Sequence, residues 1–448
     1  MTFASAASPD RAVSFREALF SGLAPDGGLY HPVGKPELAA LFASFDESTG
    51  FSELASEVTT ALLAPEIDRT TAAGIVSRAF PFAPVLRPLE AELLLLELFH
   101  GPTCAFKDFG AQFLAACMEA FLQGGNRRIQ ILVATSGDTG SAVAHAFHGR
   151  ANIDVVILYP SGRVSELQEK QLTTLGGNVH AVEVEGSFDD CQRLAKEAFR
   201  DPRLRGTLAL TSANSINIGR LLPQSLYYIF AATRRSTLGG RAPTICVPSG
   251  NFGNLTAGLY AWAWGLPVRG FIAATNVNDV VPSYLATGSY RPRPSAQTLS
   301  NAMDVGSPSN FDRLELLFHG DWKAMTGTIR GASVSDERTL QTMREIHAAR
   351  GVFVDPHTAV GCAAAADMLR AGGAFPDGAF PVSGPAGERI VVLSTAHPAK
   401  FMEVVQRATG SRPEMPERLA RCLALPKLAS GMGTTLPELS VFLLERFA

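Results

Sequence analysis

Two kinds of group in this sequence have the makings of a reactive site: an amine in apolar surroundings, and backbone turns rich in glycine and hydroxyls. The amine is Lys107, in the stretch His100-Gly101-Pro102-Thr103-Cys104-Ala105-Phe106-Lys107-Asp108-Phe109-Gly110. Ala105, Phe106, Phe109 and Gly110 give it little polar company. Desolvation by such neighbours lowers a lysine pKa toward neutrality and frees the nitrogen to attack a carbonyl. A Schiff-base lysine is therefore the sharp reading of Lys107. The plainer one is a solvated helix residue paired with Asp108.

Three turns offer anion seats. In Ser249-Gly250-Asn251-Phe252-Gly253-Asn254 the glycines let backbone N–H groups approach an anion, and a following helix adds about half a positive charge. The run has neither the Gly-Lys-Ser/Thr ending of a P-loop nor the spacing of a dinucleotide fingerprint. Beside a Schiff-base lysine, it reads as a seat for the phosphate of pyridoxal phosphate. Thr135-Ser136-Gly137-Asp138-Thr139-Gly140 has the same strand-to-helix placement, either as a plain helix cap or as neutral donors for a carboxylate. Asn214-Ser215-Ile216-Asn217-Ile218-Gly219-Arg220 gathers amides, a hydroxyl and a guanidinium able to grip a phosphate bidentately; alone, it reads equally as a cap plus a surface arginine.

These groups need a scaffold. Leu93-Leu94-Leu95-Leu96-Glu97-Leu98-Phe99 is short and apolar enough for a buried strand, and Phe109, Phe113, Leu114, Cys117 and Phe121 recur at helical spacing. Gly101 and Pro102 break the chain between them, so Lys107 falls near a helix start. From residue 92 onward, strands such as Ile129-Gln130-Ile131-Leu132-Val133-Ala134 and Thr244-Ile245-Cys246-Val247-Pro248 alternate with helices. That order predicts right-handed crossovers and a mostly parallel sheet, with ligands beyond the carboxyl ends of the strands. Residues 216–233 read as one helix, and residues 12–80 as helices with one turn-rich insertion.

Length and composition set the bounds. A chain of 448 residues predicts two or three domains. A net charge of -3, with scattered basic residues, leaves no footprint for nucleic acid. No apolar run approaches the roughly 20 residues of a membrane span. Six cysteines with no C-x-x-C pair fit reduced thiols in the cytoplasm, and no histidine has a metal-ligand partner at the usual spacing. His100, His357 and His397 read as hydrogen-bonded structural histidines, and no metal is expected.

Taken together, these stretches resemble the threonine synthase family of fold-type-II pyridoxal-phosphate enzymes, in its longer microbial and fungal branch. The likeness runs through Gly22-Leu23-Ala24-Pro25-Asp26-Gly27-Gly28-Leu29-Tyr30, the Lys107 stretch, and the three anion turns. It continues through Met303-Asp304-Val305-Gly306-Ser307-Pro308-Ser309-Asn310, Asp355-Pro356-His357-Thr358-Ala359-Val360-Gly361 and Thr395-Ala396-His397-Pro398-Ala399-Lys400-Phe401. The resemblance implies an α/β fold like the tryptophan synthase β chain: a mainly helical segment over residues 1–85, then a catalytic region over 86–448. That region holds two subdomains, the smaller at about 115–215.

The resemblance also implies roles. Lys107 would carry the cofactor and move protons. Residues Ser249, Gly250, Asn251, Phe252, Gly253 and Asn254 would hold its phosphate, Asp138 would lie near its ring hydroxyl, and Thr395 would face its ring nitrogen. Thr103, Ser136 and Thr139, with Asn214, Ser215 and Arg220, would bind substrate, the last three at its phosphate. The implied reaction turns O-phospho-L-homoserine and water into L-threonine and phosphate, in a monomer or weak homodimer. The alternatives are a phospholyase giving a 2-keto acid and a non-catalytic paralogue. Ser8-Pro9-Asp10-Arg11 replaces the family's usual Ser-Thr-Arg-Gly opening, and Cys104 stands where leucine is more usual.

Overall fold

The computed structural model describes residues 1–135, 137–373, 375 and 388–448. The flexible loop expected over 372–387 falls largely outside the described residues. Two sheets carry the catalytic region. The larger has six strands in the order Ile329–Ser333, Gly270–Thr275, Thr244–Pro248, Ile390–Ser394, Leu93–Glu97 and Val85–Pro88; all neighbours are parallel except the last pair. The smaller is parallel throughout, in the order Ala429–Met432, Val179–Val184, Ile153–Pro160, Ile129–Ala134 and Leu210–Thr211. Central strands buried on both faces read as near-continuous Val, Ile and Leu runs, which is why they stand out in the sequence.

The segment before residue 85 is mainly helical, as expected, and adds a small antiparallel sheet in which Thr2–Ser5 pairs with Ala12–Val13 and Tyr30–Val33. The long helix expected over 216–233 is divided into Ile218–Leu221, a tight turn over Leu222–Gln224, and Ser225–Thr233. Pro223 supplies no N–H and sits at the break, as a proline inside a helix must. The smaller sheet also takes in the last part of the described chain. Strand Ala429–Met432 joins its edge, and helix Leu436–Phe447 buries Leu439 and Leu443 against it. Among the described residues, no helix is long and apolar enough to cross a membrane.

The element that positions Lys107 is helix Lys107–Leu122, which begins on that lysine. Phe109 is its anchor. The Phe109 ring lies 5.0 to 5.7 Å from those of Phe51, Phe80, Phe82 and Tyr227, so the N-terminal helices grip the lysine helix through aromatic contacts. One turn on, Gly110 lets the helix lie against the chain at Arg220: a Cβ there would sit 2.6 Å from the Arg220 carbonyl oxygen. Gly110→Ala is therefore expected to lower stability by about 1–3 kcal/mol, the usual range for overpacking. Gly74→Ala, in helix Arg69–Ala79 with only the end of Arg78 nearby, should be neutral or slightly stabilising. Urea midpoints of the two variants check this, and equal midpoints would count against it.

Candidate active site

The carboxyl ends of strands Leu93–Glu97, Ile129–Ala134, Leu210–Thr211, Thr244–Pro248 and Ile390–Ser394 lead into the segments bearing Lys107, Asp138, Arg220, Gly253 and Thr395. The loop before Lys107 is held from two sides. Phe106 donates its N–H to the Thr395 carbonyl at 2.8 Å, and His397 donates to the Cys104 carbonyl at 3.0 Å. Arg418 donates to the carbonyls of His100 and Phe99 and, through Nε, to the Cys104 thiol at 2.9 Å. Cys104 adopts a left-handed backbone with φ of 56°. Its thiol thus has a partner that leucine would lack, and burial pushes its pKa up.

Lys107 keeps partial solvent access, yet protein surrounds its amine. Burial pushes its pKa down to about 8; Asp138 opposes the shift, while Arg220 and Lys400 reinforce it. Asp138 is buried and held well below the usual carboxylate range, chiefly by Lys400 and Lys107 against the opposing cost of desolvation. Its carboxylate accepts from Lys400 Nζ at 2.8 Å and from Gln168 Nε2 at 3.2 Å. Arg220 is buried, and burial lowers its pKa to about 10. Its Nη1 donates to the Ala213 carbonyl, its Nε has no partner, and among the described residues no carboxylate pairs with it. A buried guanidinium with spare donors is a strong anion site.

The glycine-rich turn works through its backbone. Phe252 is left-handed, with φ of 59°, and caps helix Gly253–Ala263. Ser249 Oγ bonds Asn254 Oδ1 at 2.5 Å, and Asn254 Nδ2 bonds the Pro248 carbonyl at 2.9 Å, so these side chains shape the loop. The N–H groups of Gly250, Asn251, Phe252, Gly253 and Asn254 donate to no acceptor among the described residues. A Cβ on Gly250 would sit 2.7 Å from Met303 Cα, so the segment carrying Met303 and Asp304 lies directly on the turn. Asp355 holds the His357 Nδ1 at 2.9 Å, and His357 Nε2 accepts from the Ala302 N–H at 3.1 Å, which fixes that segment. Free N–H groups at a helix start fit the phosphate of pyridoxal phosphate. Lys107 fits its aldehyde, and the Thr395 hydroxyl has no hydrogen-bond partner among the described residues.

Other expected residues differ in their placement. The N–H groups of Asp138 and Thr139, at the start of helix Asp138–Phe147, donate to no acceptor among the described residues. Ser136 lies outside the described residues. Asn214 presents a buried Oδ1 without a partner. Ser215 Oγ instead accepts from Asn251 Nδ2 at 2.7 Å, which ties it to the glycine-rich turn. Thr103 is engaged within the lysine loop. It is fully buried, and its hydroxyl and N–H both go to Asp108, at 2.7 and 2.8 Å. Its carbonyl takes Lys400 Nζ at 2.8 Å and Gln171 Nε2 at 3.3 Å. The hydroxyl is spent inside the lysine loop rather than shown to the cleft.

Two residues emerge only here. Lys400, from the motif ending in Phe401, is the buried partner of Asp138. Arg313 is fully buried; it donates to the Tyr30 and Ile216 carbonyls at 2.9 and 2.7 Å and to Asn310 Oδ1 at 2.6 Å. It thereby joins the N-terminal segment, the Asn214 loop and the Asn310 segment over the glycine-rich turn.

Comparison with known proteins accords with this geometry. Family models described as threonine synthase N terminus, pyridoxal-phosphate dependent enzyme, and threonine synthase C-terminal match residues 2–80, 82–395 and 358–436. The chain is 44% identical to the threonine synthase of Escherichia coli over 94% of each chain, and 43% identical to that of Serratia marcescens over 96% of each. The crystal structure of the Escherichia coli enzyme matches with a TM-score of 0.87 over 100% of both chains, at 41% identity. A PLP-bound threonine synthase from Brucella melitensis matches with a TM-score of 0.89 at 34% identity, covering 100% of this chain and 99% of that one.

Proposed function

Because this chain belongs to the threonine synthase family of pyridoxal-phosphate-dependent lyases, we propose that it converts O-phospho-L-homoserine and water into L-threonine and phosphate. The observation that carries the reading is a lysine amine and an unpaired buried guanidinium in one charge cluster, beside two helix starts with free N–H groups. Arg220 and Lys400 both repel the Lys107 ammonium while Asp138 attracts it, so the site suits a dianionic cofactor phosphate and a second phosphate on the substrate. The cytoplasm is the compartment we assign, one in which six unpaired cysteines stay reduced.

Pyridoxal phosphate, when bound, supplies a ring that takes up the electron pair left as a proton leaves the substrate's α carbon. The protein does the rest. Residues 250–254 would hold the cofactor phosphate with their N–H groups, and the Thr395 hydroxyl would serve the ring nitrogen. Lys107 Nζ takes the α proton and then a β proton as phosphate leaves the γ carbon with the C–O electron pair. A proton is then given to the γ carbon as water adds at β, and the α proton is returned, tasks for which a base near neutral pKa is suited. The N–H groups at Asp138 and Thr139 receive the substrate carboxylate. Arg220 and Asn214 bind the phosphate that departs from the γ carbon and keep it beside the β carbon, where water adds.

Incubating the holoenzyme with O-phospho-L-homoserine and measuring threonine, phosphate and 2-ketobutyrate tests this. Equal threonine and phosphate are expected. Phosphate matched by ketobutyrate would replace the reading with a phospholyase, and no turnover would end it. Arg220→Ala should raise KM for this substrate about 100-fold, the scale of a lost buried charge contact. It should also move product from threonine toward ketobutyrate. An unchanged ratio would show that phosphate held there takes no part in adding water.

A further inference from the structure

We propose that Lys400 is a positioning residue for Lys107: its ammonium engages the Asp138 carboxylate and the Thr103 carbonyl together, and so keeps Asp138 from pairing with Lys107. The inference rests on Lys107 being the amine that takes the cofactor. Lys400 sits in the tight turn Pro398–Phe401 that follows strand Ile390–Ser394, and its side chain is fully buried. Its Nζ lies 2.8 Å from Asp138 Oδ1 and 2.8 Å from the Thr103 carbonyl oxygen. Thr103 in turn gives its N–H and hydroxyl to Asp108, the residue next to Lys107. One ammonium thus spans the helix that starts at Asp138 and the loop that delivers Lys107.

The surrounding charges explain why such a residue is needed. Asp138, Arg220 and Lys400 face Lys107; Asp138 attracts its ammonium and the two cations repel it. Around Lys400 lie Asp108, Cys104, His145 and Cys422 as well as Asp138. Without Lys400, Asp138 would be a buried carboxylate held by the neutral Gln168 amide, with Lys107 as the cation left to attract it. A direct pair of that kind holds an amine protonated. A protonated amine cannot add to an aldehyde, because the nitrogen lone pair must form the new bond as water is lost.

The test measures how fast the cofactor-free protein takes up pyridoxal phosphate as pH varies. Uptake is followed by absorbance and fixed by borohydride, and the labelled residue is found by peptide mapping. In the unmodified protein the rate should rise with pH and level off above about 8, since the neutral fraction of Lys107 grows through its pKa. Lys400→Met should move that midpoint up by about 1–3 units, the effect of an opposite charge at close range. Lys400→Arg should keep it near its original value. Asp138→Asn combined with Lys400→Met leaves no buried carboxylate stripped of its ammonium, so it is the variant to read where Lys400→Met does not fold; its midpoint should lie at or below the original. An unmoved midpoint in Lys400→Met, or an upward shift in the double variant, overturns the proposal. Labelling at a residue other than Lys107 would instead overturn the assignment of the cofactor lysine.

Discussion

Lys107→Ala is expected to lower threonine formation by roughly 10⁴-fold or more, because one nitrogen serves both as the cofactor's attachment and as the base that moves the α proton. The structure makes this amine hard to replace. It stands at the first residue of a helix anchored through Phe109 by four aromatic rings, and the loop before it is tied to Thr395, His397 and Arg418. Lys107→Arg should be no better than alanine. A guanidinium stays charged at any working pH and offers no neutral nitrogen. Steady-state rates of both variants, with circular dichroism to show that the fold persists, decide the matter. Retention of activity within about tenfold in either would remove Lys107 from the chemistry.

Arg313→Met should cost about 3 kcal/mol of stability, read as a fall in urea midpoint. Three acceptors at close range lose a charged donor at once, the Tyr30 and Ile216 carbonyls and Asn310 Oδ1, and the Ser215 carbonyl loses a longer contact at 3.5 Å. Each buried acceptor left unpaired costs about 1–3 kcal/mol. Part of that total is offset because a buried guanidinium, whose pKa burial lowers to about 10, no longer has to be desolvated. The same variant should raise KM for both cofactor and substrate, since the released segments carry Asn214, Ser215 and the residues lying over Gly250. A midpoint unchanged from the parent protein would show that these three contacts contribute nothing net. Arg69, whose partner Glu57 is met at the surface, is the control; Arg69→Met should change little.

Much of the fold was legible in the residues. Strands Ile129–Ala134 and Thr244–Pro248 lie where their apolar runs predict, because parallel strands buried on both faces leave near-continuous apolar signatures. Strand Ile329–Ser333 was not legible. It is a half-exposed edge whose Arg330, Gly331 and Ser333 interrupt any pattern. Nor was the small N-terminal sheet, whose short strands pair across a helix and a turn. Within the site, Lys107 and the turn over 249–254 could be recognised by local chemistry, an amine among apolar neighbours and glycines before a helix. Lys400 and Arg313 gave no such signal. Each is a lone cation in its stretch of sequence, and their burial depends on partners far away in the chain.

The amino-acid sequence by itself determined the alternation of strand and helix, the place of Lys107 at a helix start, and the turn able to hold a phosphate. These are matters of periodicity and local backbone freedom, which neighbouring residues carry. Only the tertiary structure decided that Asp138 belongs to Lys400, that Thr103 serves Asp108, and that Arg220 has no carboxylate partner among the described residues. Such pairings arise where the ends of separate strands converge, and a buried charge takes its character from whatever the fold brings within a few ångströms of it.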